Sequence, residues 1–293
     1  MEIKQLKYFI AIAEASTISK AAQRLCIAQP PLSRQLKMIE EEVGAVLFER
    51  GKAKHLAITP QGELFLSKAR ALLRQLDESL LQVRELNQQV GGRLSIGSAI
   101  LCSDILLTLL QRYQRDYPEV HFSLWEGGSN FLAEQLGNHQ IEMGIVAEPF
   151  DSRRFDSLPL ETLNCVVAAA PQYDLPPQLS LAQLAELPLL LLKPTTGNGL
   201  FHRILNTFAE QHLTPNIVCE CHDSSMLLNL MEMGLGVAVL PEVMLRKNVH
   251  FSYRTFQVEG ESWQIQPYLL WRKNSYLSNA ARAFLQLARK TIL

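Results

Sequence analysis

The stretch Ala28-Gln-Pro-Pro-Leu-Ser-Arg-Gln-Leu-Lys-Met-Ile-Glu40, AQPPLSRQLKMIE, decides the fold of the N-terminal part of the chain. Pro30 and Pro31 stand directly before a helical pattern, and proline suits a first helical turn because its missing N–H has no intrahelical partner there. The apolar residues then recur at helical spacing and form one stripe: Leu32, Leu36, Ile39 and Val43. Arg34 and Lys37 point away from this stripe, so the pattern predicts a helix with a cationic outer face.

Neighbouring segments complete a helix-turn-helix. Apolar residues predict a first helix over residues 6–13, and Ser19 is a candidate N-cap for a second helix over residues 20–25. The helix that starts at Pro30 is predicted to run to Glu42, with Gly44 as its stop signal. Two short helices joined by a tight turn, the second with polar and cationic side chains near its start, are typical of DNA-binding units.

The following segment predicts a wing and a long helix. A hairpin with a basic tip at residues 51–55 is predicted between two short strands, and Thr59 and Pro60 are predicted to cap and open the helix. Its seam residues alternate at spacings of three and four, in two rows: Leu66, Leu73, Leu80 and Asn87, and Ala69, Leu76, Val83 and Val90. This seam favours pairing with a second helix, although an ordinary amphipathic helix packed on its own domain has a similar pattern.

Gly91 and Gly92 are predicted to end that helix, and strands alternate with helices beyond them. The predicted strands cover residues 94–97, 120–125, 143–147, 165–170, 189–192, 217–221 and 237–240. The predicted helices cover residues 105–115, 131–138, 200–211 and 226–233. This alternation is typical of parallel or mixed α/β sheets.

Composition and charge describe a globular protein with one basic part. Of 293 residues, 47% are apolar and 19% are charged, and no apolar run reaches the length of a membrane span or a signal peptide, so we expect a cytoplasmic protein. Residues 1–58 hold nine Lys and Arg against six Asp and Glu, a net charge of +3, whereas residues 94–293 hold 14 against 19, a net charge of −5. A basic N-terminal head (residues 1–58) on an otherwise acidic chain fits nucleic-acid binding by this head.

Cysteine usage and motif searches argue against a metal site or an enzyme. The five cysteines are dispersed, which suits reduced thiols, and only Cys219 and Cys221 are close enough to share a strand face. They have no second cysteine pair to complete a zinc site. The chain has no GxSxG elbow, P-loop or HExxH motif, so we expect no catalysis, no metal and no cofactor apart from a small effector.

The sequence KYFIAIAEASTISKAAQRLCIAQPPLSRQLKMIEEEVGAVLFERG (residues 7–51), the long helix, and GLGVAVLP (residues 234–241) closely resemble a LysR-type transcriptional regulator. The resemblance covers essentially the whole chain, and the head is most similar to regulators of aromatic-compound degradation that share AQPPLSRQ. It implies a mixed α+β and α/β fold in three parts. These are a winged helix-turn-helix DNA-binding domain at 1–58, a dimerising linker helix at 59–90, and a periplasmic-binding-protein-like effector domain at 91–293, with lobe one at 94–161 and 267–293 and lobe two at 162–266.

The resemblance also implies roles for individual residues. Positions that match the family's DNA-contacting elements are Thr17, Ser19, Gln29, Pro30, Pro31, Ser33, Arg34, Lys37, Arg50, Lys52 and Lys54. Arg can read guanine and Gln can read adenine through paired hydrogen bonds, whereas hydroxyls and lysines mainly hold phosphates. The competing interpretation is that Arg34 and Lys37 form a solvated face paired with Glu40 or Glu41.

In this architecture the effector lies between the lobes, near helix N-termini that favour anions, so a small organic acid is the natural effector. The residues expected there are Ser98, Ile100, Leu101, Ser103, Ser129, Asn130, Thr195, Thr196, Asn198, Phe201 and Ser224. Each hydroxyl can also serve only as a helix N-cap.

Together these features predict a transcriptional regulator that binds double-stranded promoter DNA and a small, anionic effector. The expected partners are a second copy of the chain through the linker helix, a homotetramer built from such dimers, and RNA polymerase if the protein is an activator; no membrane partner is expected. The alternative is a solute-binding or ligand-sensing protein without DNA binding.

Overall fold

The segment with the paired prolines forms a helix whose N-cap is Ala28 and whose first turn holds both prolines. The computed structural model describes residues 1–50, 56–85, 90–147, 150–194, 199–246 and 252–292. The chain divides into two compact units, the N-terminal unit Met1–Asn87 and the C-terminal unit Gln88–Leu293.

Three helices build the core of the N-terminal unit: α1 Ile3–Ala15, α2 Ile18–Arg24 and α3 Gln29–Val43. The predicted apolar stripe of α3 is buried at Leu32, Leu36 and Ile39, which pack with Phe9 of α1 in one cluster. Val43 was expected in the stripe, but its side chain is 38% exposed because it ends the helix beyond the core. Gly44 then leaves the helix with a φ of 73°, as its position predicts.

The N-cap of α2 differs from the prediction. Thr17 occupies the cap, and its Oγ1 accepts a hydrogen bond from the Lys20 backbone N–H at 3.3 Å. Ser19 therefore lies inside the first turn, where its hydroxyl contacts Gln29 Oε1 at 3.0 Å. Both residues suit a cap chemically, and the extended backbone at Thr17 decides between them.

A short hairpin and a long helix follow. Strands β1 Phe48–Arg50 and β2 Leu56–Ile58 pair in antiparallel fashion, and the predicted basic tip at residues 51–55 lies outside the described residues. Helix α4 Pro60–Glu85 begins at the predicted proline, and Thr59 Oγ1 accepts a hydrogen bond from Gly62 N–H at 3.0 Å. A side chain at Gly62 would collide with the Leu47 carbonyl oxygen, so glycine lets α4 start directly against the segment before the wing.

The structure describes only part of the far end of the predicted α4 seam. Asn87 lies outside the described residues, and Val90 lies beyond the described helix, where it packs on the core of the C-terminal unit.

Lobe one is the sheet and helices formed by both ends of the C-terminal unit. Its strands are β3 Gly92–Ala99, β4 Val120–Gly127, β5 Met143–Ala147, β6 Phe155–Pro159 and β14 Pro267–Arg272, in the order β4-β3-β5-β14-β6. Its helices are α5 Ser103–Asp116, α6 Ser129–Gly137 and α11 Asn279–Ile292. Strand β3 pairs parallel with β4 and β5, whereas β14 pairs antiparallel with β5 and β6.

Lobe two is the second sheet with its helices. Its strands are β7 Leu163–Ala169, β8 Gln178–Leu179, β9 Leu189–Leu192, β10 Ile217–Cys221, β11 Val237–Pro241, β12 Arg254–Val258 and β13 Gln264–Ile265. Its helices are α7 Leu181–Glu186, α8 Leu200–Glu210, α9 Ser224–Glu232 and α10 Val243–Arg246. The order is β10-β9-β11-β7-β12-β8, with β13 paired to β7, so the mixed α/β sheets predicted from the alternation are confirmed.

The chain crosses between the lobes twice, from β6 to β7 and from β13 to β14. The two crossovers lie side by side, because Leu160 N–H donates to the Pro267 carbonyl at 2.9 Å. Several helices begin two residues before their predicted start, at Ser103, Ser129 and Ser224, since polar residues at a helix start escape a search for apolar periodicity. Within the described ranges, no helix is long and apolar enough to cross a membrane.

Candidate DNA interface and effector cleft

The outer face of α3 presents polar and cationic groups to solvent. Gln29, Pro30, Pro31, Arg34 and Lys37 are exposed, and Ser33 is half-buried. Arg34 forms no ion pair with any described residue. Lys37 Nζ lies 3.6 Å from Glu41 Oε1, and both side chains are mostly exposed, so this ion pair contributes little to stability. Of the ion pairs that the solvated-face interpretation expects, the described structure therefore has the one between Lys37 and Glu41 and none at Arg34.

Hydrogen bonds hold α3 in place from both sides. At its start, Gln29 contacts Ser19 of α2. Near its end, Glu40 Oε1 accepts hydrogen bonds from the backbone N–H groups of Leu47 at 2.8 Å and Phe48 at 3.2 Å. Glu40 is thus bonded to the segment that enters β1 and forms no ion pair with the cations of the outer face among the described residues, so these two hydrogen bonds connect α3 to the first strand of the wing.

The remaining predicted DNA contacts lie on the wing and at the start of α2. Arg50 ends β1 opposite Leu56, and Lys52 and Lys54 lie outside the described residues. The half-buried Thr17 lies with the exposed Ser19 at the start of α2, the end of the helix where free backbone N–H groups favour phosphate.

Helix α4 exposes much of its apolar seam along its second half. Leu80 is 46% exposed and Val83 is 75% exposed, and Leu72 beside the seam is 56% exposed. Toward the start of the helix, Ala69 is buried and Leu66 and Leu73 pack against the core of the N-terminal unit. One helix therefore has a part that packs on its own unit and a part with uncovered apolar side chains.

A cavity of about 710 Å³ lies between the lobes of the C-terminal unit. Lobe one contributes the ends of β3 and β4 and the start of α6, and lobe two contributes the end of β9 and the start of α8. The second crossover forms part of the wall through Gln264, Ile265 and Gln266. The carboxyl ends of several strands thus meet at this cavity, as is usual for ligand sites in open α/β sheets.

The predicted effector residues divide into three groups. Ile100, Leu101, Ser129 and Asn130 line the cavity, and the Ser129 hydroxyl oxygen also accepts a hydrogen bond from Ala147 N–H at 3.2 Å. Four others lie outside the lining: Ser98, Ser103, Phe201 and Ser224. Thr195, Thr196 and Asn198 lie outside the described residues.

Those outside the lining have other structural contacts. The Ser98 hydroxyl donates to the Ala99 carbonyl at 3.1 Å, and the Ser103 hydroxyl donates to the Ile100 carbonyl at 2.8 Å. Phe201 is buried with its ring 5.2 Å from that of His202. Asp223, rather than Ser224, caps α9 by accepting from Met226 N–H at 2.7 Å.

Several polar lining residues were not among the predicted effector contacts: Thr162, Lys193, His202, Arg203, Asn206, His222, Gln264 and Gln266. The sequence could have indicated two of them in α8, because Arg203 and Asn206 are three positions apart and therefore share one helix face. Thr162 and Gln266 could also have been found from the sequence, because they lie where the chain was predicted to cross between the lobes. His202 is distinctive since its Nδ1 is buried and has no hydrogen-bond partner in the described structure.

None of the five cysteines forms a disulfide. Cys219 and Cys221 share a face of β10 with their sulfurs 3.4 Å apart, as the sequence predicts. Burial, with a contribution from Cys219, raises the pKa of Cys221 to about 11. The described part of the chain contains no cluster of three or more metal-ligating His, Cys, Asp or Glu side chains.

Comparison with known proteins gives the same picture for both units. The family profile described as "Bacterial regulatory helix-turn-helix protein, lysR family" matches residues 3–63, and the profile described as "LysR substrate binding domain" matches residues 87–292. The HTH-type transcriptional regulator BsdA of Bacillus subtilis (strain 168) is 36% identical over 289 residues, which cover 98% of this chain and 100% of BsdA. The uncharacterized HTH-type transcriptional regulator YnfL of Escherichia coli (strain K12) is 31% identical over 97% of this chain and 96% of its own.

Solved structures share the fold at lower identity. Full-length CbnR complexed with its target DNA has a TM-score of 0.75 at 23% identity, covering 99% of this chain and 100% of CbnR. The structure of CbnR described as a LysR family transcriptional regulator has a TM-score of 0.74 at 24% identity, with both chains fully covered. The N-terminal helix-turn-helix and the two-lobed α/β unit therefore form an architecture that the CbnR structures share.

Proposed function

The chain belongs to the LysR family of transcriptional regulators, and we propose that it binds promoter DNA through α3 and responds to a small anionic effector held between its lobes. Members of this family are regulators rather than enzymes. The α3 face carries the DNA-binding half of the proposal. It combines a helix start fixed by Pro30 and Pro31 with Arg34, an exposed cation that has no ion pair among the described residues.

We assign α3 to the major groove, where an α-helix fits and base edges can be read. Arg34 can donate two hydrogen bonds to guanine, and Gln29 can pair with adenine, while Ser33 and Lys37 suit phosphate or base contacts. Thr17, Ser19, Arg50, Lys52 and Lys54 are proposed to hold the backbone on either side. CbnR, which shares the fold, has been solved with its target DNA, and this supports the choice of partner.

Arg34→Ala tests the DNA-binding proposal. Because Arg34 is exposed on an outer face, its loss should leave the fold intact and reduce affinity for the protein's own upstream region by at least tenfold, the effect expected for a bidentate base contact. Fluorescence anisotropy with a labelled upstream duplex measures this affinity. The matched control is Arg115→Ala, an exposed arginine in the C-terminal unit, which should bind as the wild type does. Undiminished affinity in Arg34→Ala would contradict the assignment.

The effector half of the proposal rests on the cavity between the lobes. Its described lining holds two cationic side chains and the start of α6, all of which favour a negatively charged ligand. Ile100, Leu101, Ser129 and Asn130 are proposed contacts from lobe one. Thr195, Thr196 and Asn198, which precede α8 in the sequence, remain proposed contacts from lobe two, and no other cofactor is proposed.

We also propose that α4 pairs two chains and that two such dimers form a homotetramer. The exposed apolar side chains along the second half of α4 support the first step, because a coiled-coil partner would cover them. A promoter-binding protein works beside the chromosome, so the proposed location is the cytoplasm. RNA polymerase is the further partner if the protein activates transcription.

A further inference from the structure

The cationic side chains of the effector cavity lie on one lobe. Within the described lining, the cationic side chains are Lys193 and Arg203, and no carboxylate side chain is present. Both cations belong to lobe two, since Lys193 follows β9 and Arg203 lies near the start of α8. Lobe one adds the start of α6 to the lining but no cationic side chain, so a full positive charge is found in the described lining only on the lobe-two side.

The two cations differ in whether a carboxylate of the protein already pairs with them. Lys193 Nζ lies 2.5 Å from Glu220 Oε2, and Glu220 is outside the cavity lining. Arg203 is an exposed side chain and forms no ion pair with any residue that the structure describes. Arg203 is thus the cation with unmatched charge at the cavity wall.

Lobe one offers an apolar surface at the turn between β3 and α5. Ser98 and Ser103, the hydroxyls on either side of this turn, are bound to backbone carbonyls and lie outside the lining. Ile100 and Leu101 line the cavity in their place. An anionic group placed against this turn would lose water without gaining a side-chain donor, which is unfavourable.

We propose, building on the effector-binding function above, that the effector is an amphipathic monocarboxylate held by Arg203, with its apolar part against Ile100 and Leu101. A guanidinium holds a carboxylate through two parallel N–H···O bonds, which fixes the direction of the ligand as well as its charge. The apolar part is bound because its contact with Ile100 and Leu101 removes apolar surface from water. A single unmatched cation selects one carboxylate rather than two.

Acid and amide pairs of the same shape test the charge requirement. The probes are cyclohexanecarboxylate with cyclohexanecarboxamide, and hexanoate with hexanamide, titrated calorimetrically into the full-length protein. Each acid should bind at least tenfold more tightly than its amide. Arg203→Gln should weaken acid binding at least tenfold, Arg203→Lys should weaken it less, and Arg112→Gln, an exposed arginine of α5 outside the lining, should leave it unchanged.

A second variant tests the direction of the ligand. Leu101→Ala should weaken binding of cyclohexanecarboxylate several-fold and leave the response to acetate, which has almost no apolar part, unchanged. The proposal is overturned if neither acid binds the wild type, if acid and amide bind equally, or if Arg203→Gln or Leu101→Ala binds cyclohexanecarboxylate as the wild type does.

The same preparations also separate this proposal from the function on which it rests. Wild type and Arg203→Gln should bind the upstream duplex equally without acid. If they bind it while the acid titrations fail, the regulator function stands and only the monocarboxylate proposal falls.

Discussion

Arg34 and Arg203 are both exposed cations without an ion pair among the described residues, and each projects from near the start of a helix. An unpaired guanidinium that is exposed to water carries little energetic penalty, because water hydrates it. It forms two directed hydrogen bonds when a planar acceptor binds. In Arg34 the proposed acceptor is a base edge, and in Arg203 it is a carboxylate. The same side chain therefore serves both proposed ligands because both present paired acceptors.

Cysteine reactivity is predicted at the residue scale. Cys26 is exposed, whereas Cys102 and Cys165 are buried, and burial raises the pKa of both buried thiols to about 12. With a thiol reagent at neutral pH, the fastest phase should therefore report Cys26 and should disappear in Cys26→Ser. Cys102 and Cys165 should react only on unfolding. A fast phase that survives in Cys26→Ser would contradict this.

The raised pKa values of the buried thiols also determine how the free energy of unfolding changes with pH. Because the folded pKa of Cys102 lies above its ordinary value of 9.0, the thiol favours the folded state while it is neutral. Its contribution to the free energy of unfolding is fully present below pH 9 and is lost as the pH rises toward 12. The native protein should therefore lose stability across this alkaline window.

At the scale of elements, α4 combines a packed start with an exposed second half. We predict that Leu80→Glu with Val83→Glu shifts the protein toward monomers, because two charges would have to be buried in the paired seam. Sedimentation velocity over a range of concentrations measures the change. Gln75→Glu with Gln82→Glu adds the same charge off the seam, and this control should keep the wild-type assembly. An unchanged mass distribution in the seam variant would contradict dimerisation through α4.

The interlobe crossovers are joined by one side chain. Gln266 Nε2 donates to the carbonyls of Leu160 at 2.8 Å and Pro267 at 3.1 Å, and its Oε1 accepts from the Thr162 hydroxyl at 2.7 Å. Gln266→Leu should lower the free energy of unfolding by about 2 kcal/mol, since it removes three hydrogen bonds and leaves the Leu160 carbonyl and the Thr162 hydroxyl without these partners. Gln264→Leu, which loses one exposed bond to Asn164, should cost less than about 1 kcal/mol.

Tryptophan fluorescence in a urea titration follows this change. All three tryptophans, Trp125, Trp263 and Trp271, belong to the C-terminal unit, so the signal reports that unit alone. Equal effects of the two glutamine substitutions would show that the crossovers do not depend on Gln266.

The elements were more predictable from the sequence than the effector cavity. Local patterns decide a helix or strand, so β5, β9 and β10 were predicted with their observed bounds and α3 within one residue. The cavity lining depends on which side chains meet across a gap. Hydroxyls such as Ser98 looked suitable from the sequence, but this one is bonded to a neighbouring carbonyl. Conversely, Arg203 and Gln266 face the cavity because of helix phase and crossover geometry, which no short motif records.

At the scale of the whole molecule, the two units have different proposed roles, DNA binding and effector binding. The N-terminal unit holds the cationic helix face, and the C-terminal unit holds a cavity whose walls come from two lobes that paired crossovers connect along the chain. A ligand that contacts both lobes adds contacts across this joint, and it can favour one lobe arrangement only by its differential affinity. Control of DNA binding by an effector is consistent with such a construction.

The most direct test of the central claim is the affinity of the full-length protein for its own upstream duplex and for a shuffled duplex, measured by anisotropy over a series of salt concentrations. We predict at least about a thousandfold preference for the upstream duplex, and an affinity that falls steeply with salt as phosphate contacts release counterions. Equal affinity for both duplexes, or binding insensitive to salt, would contradict the claim that this chain reads promoter DNA.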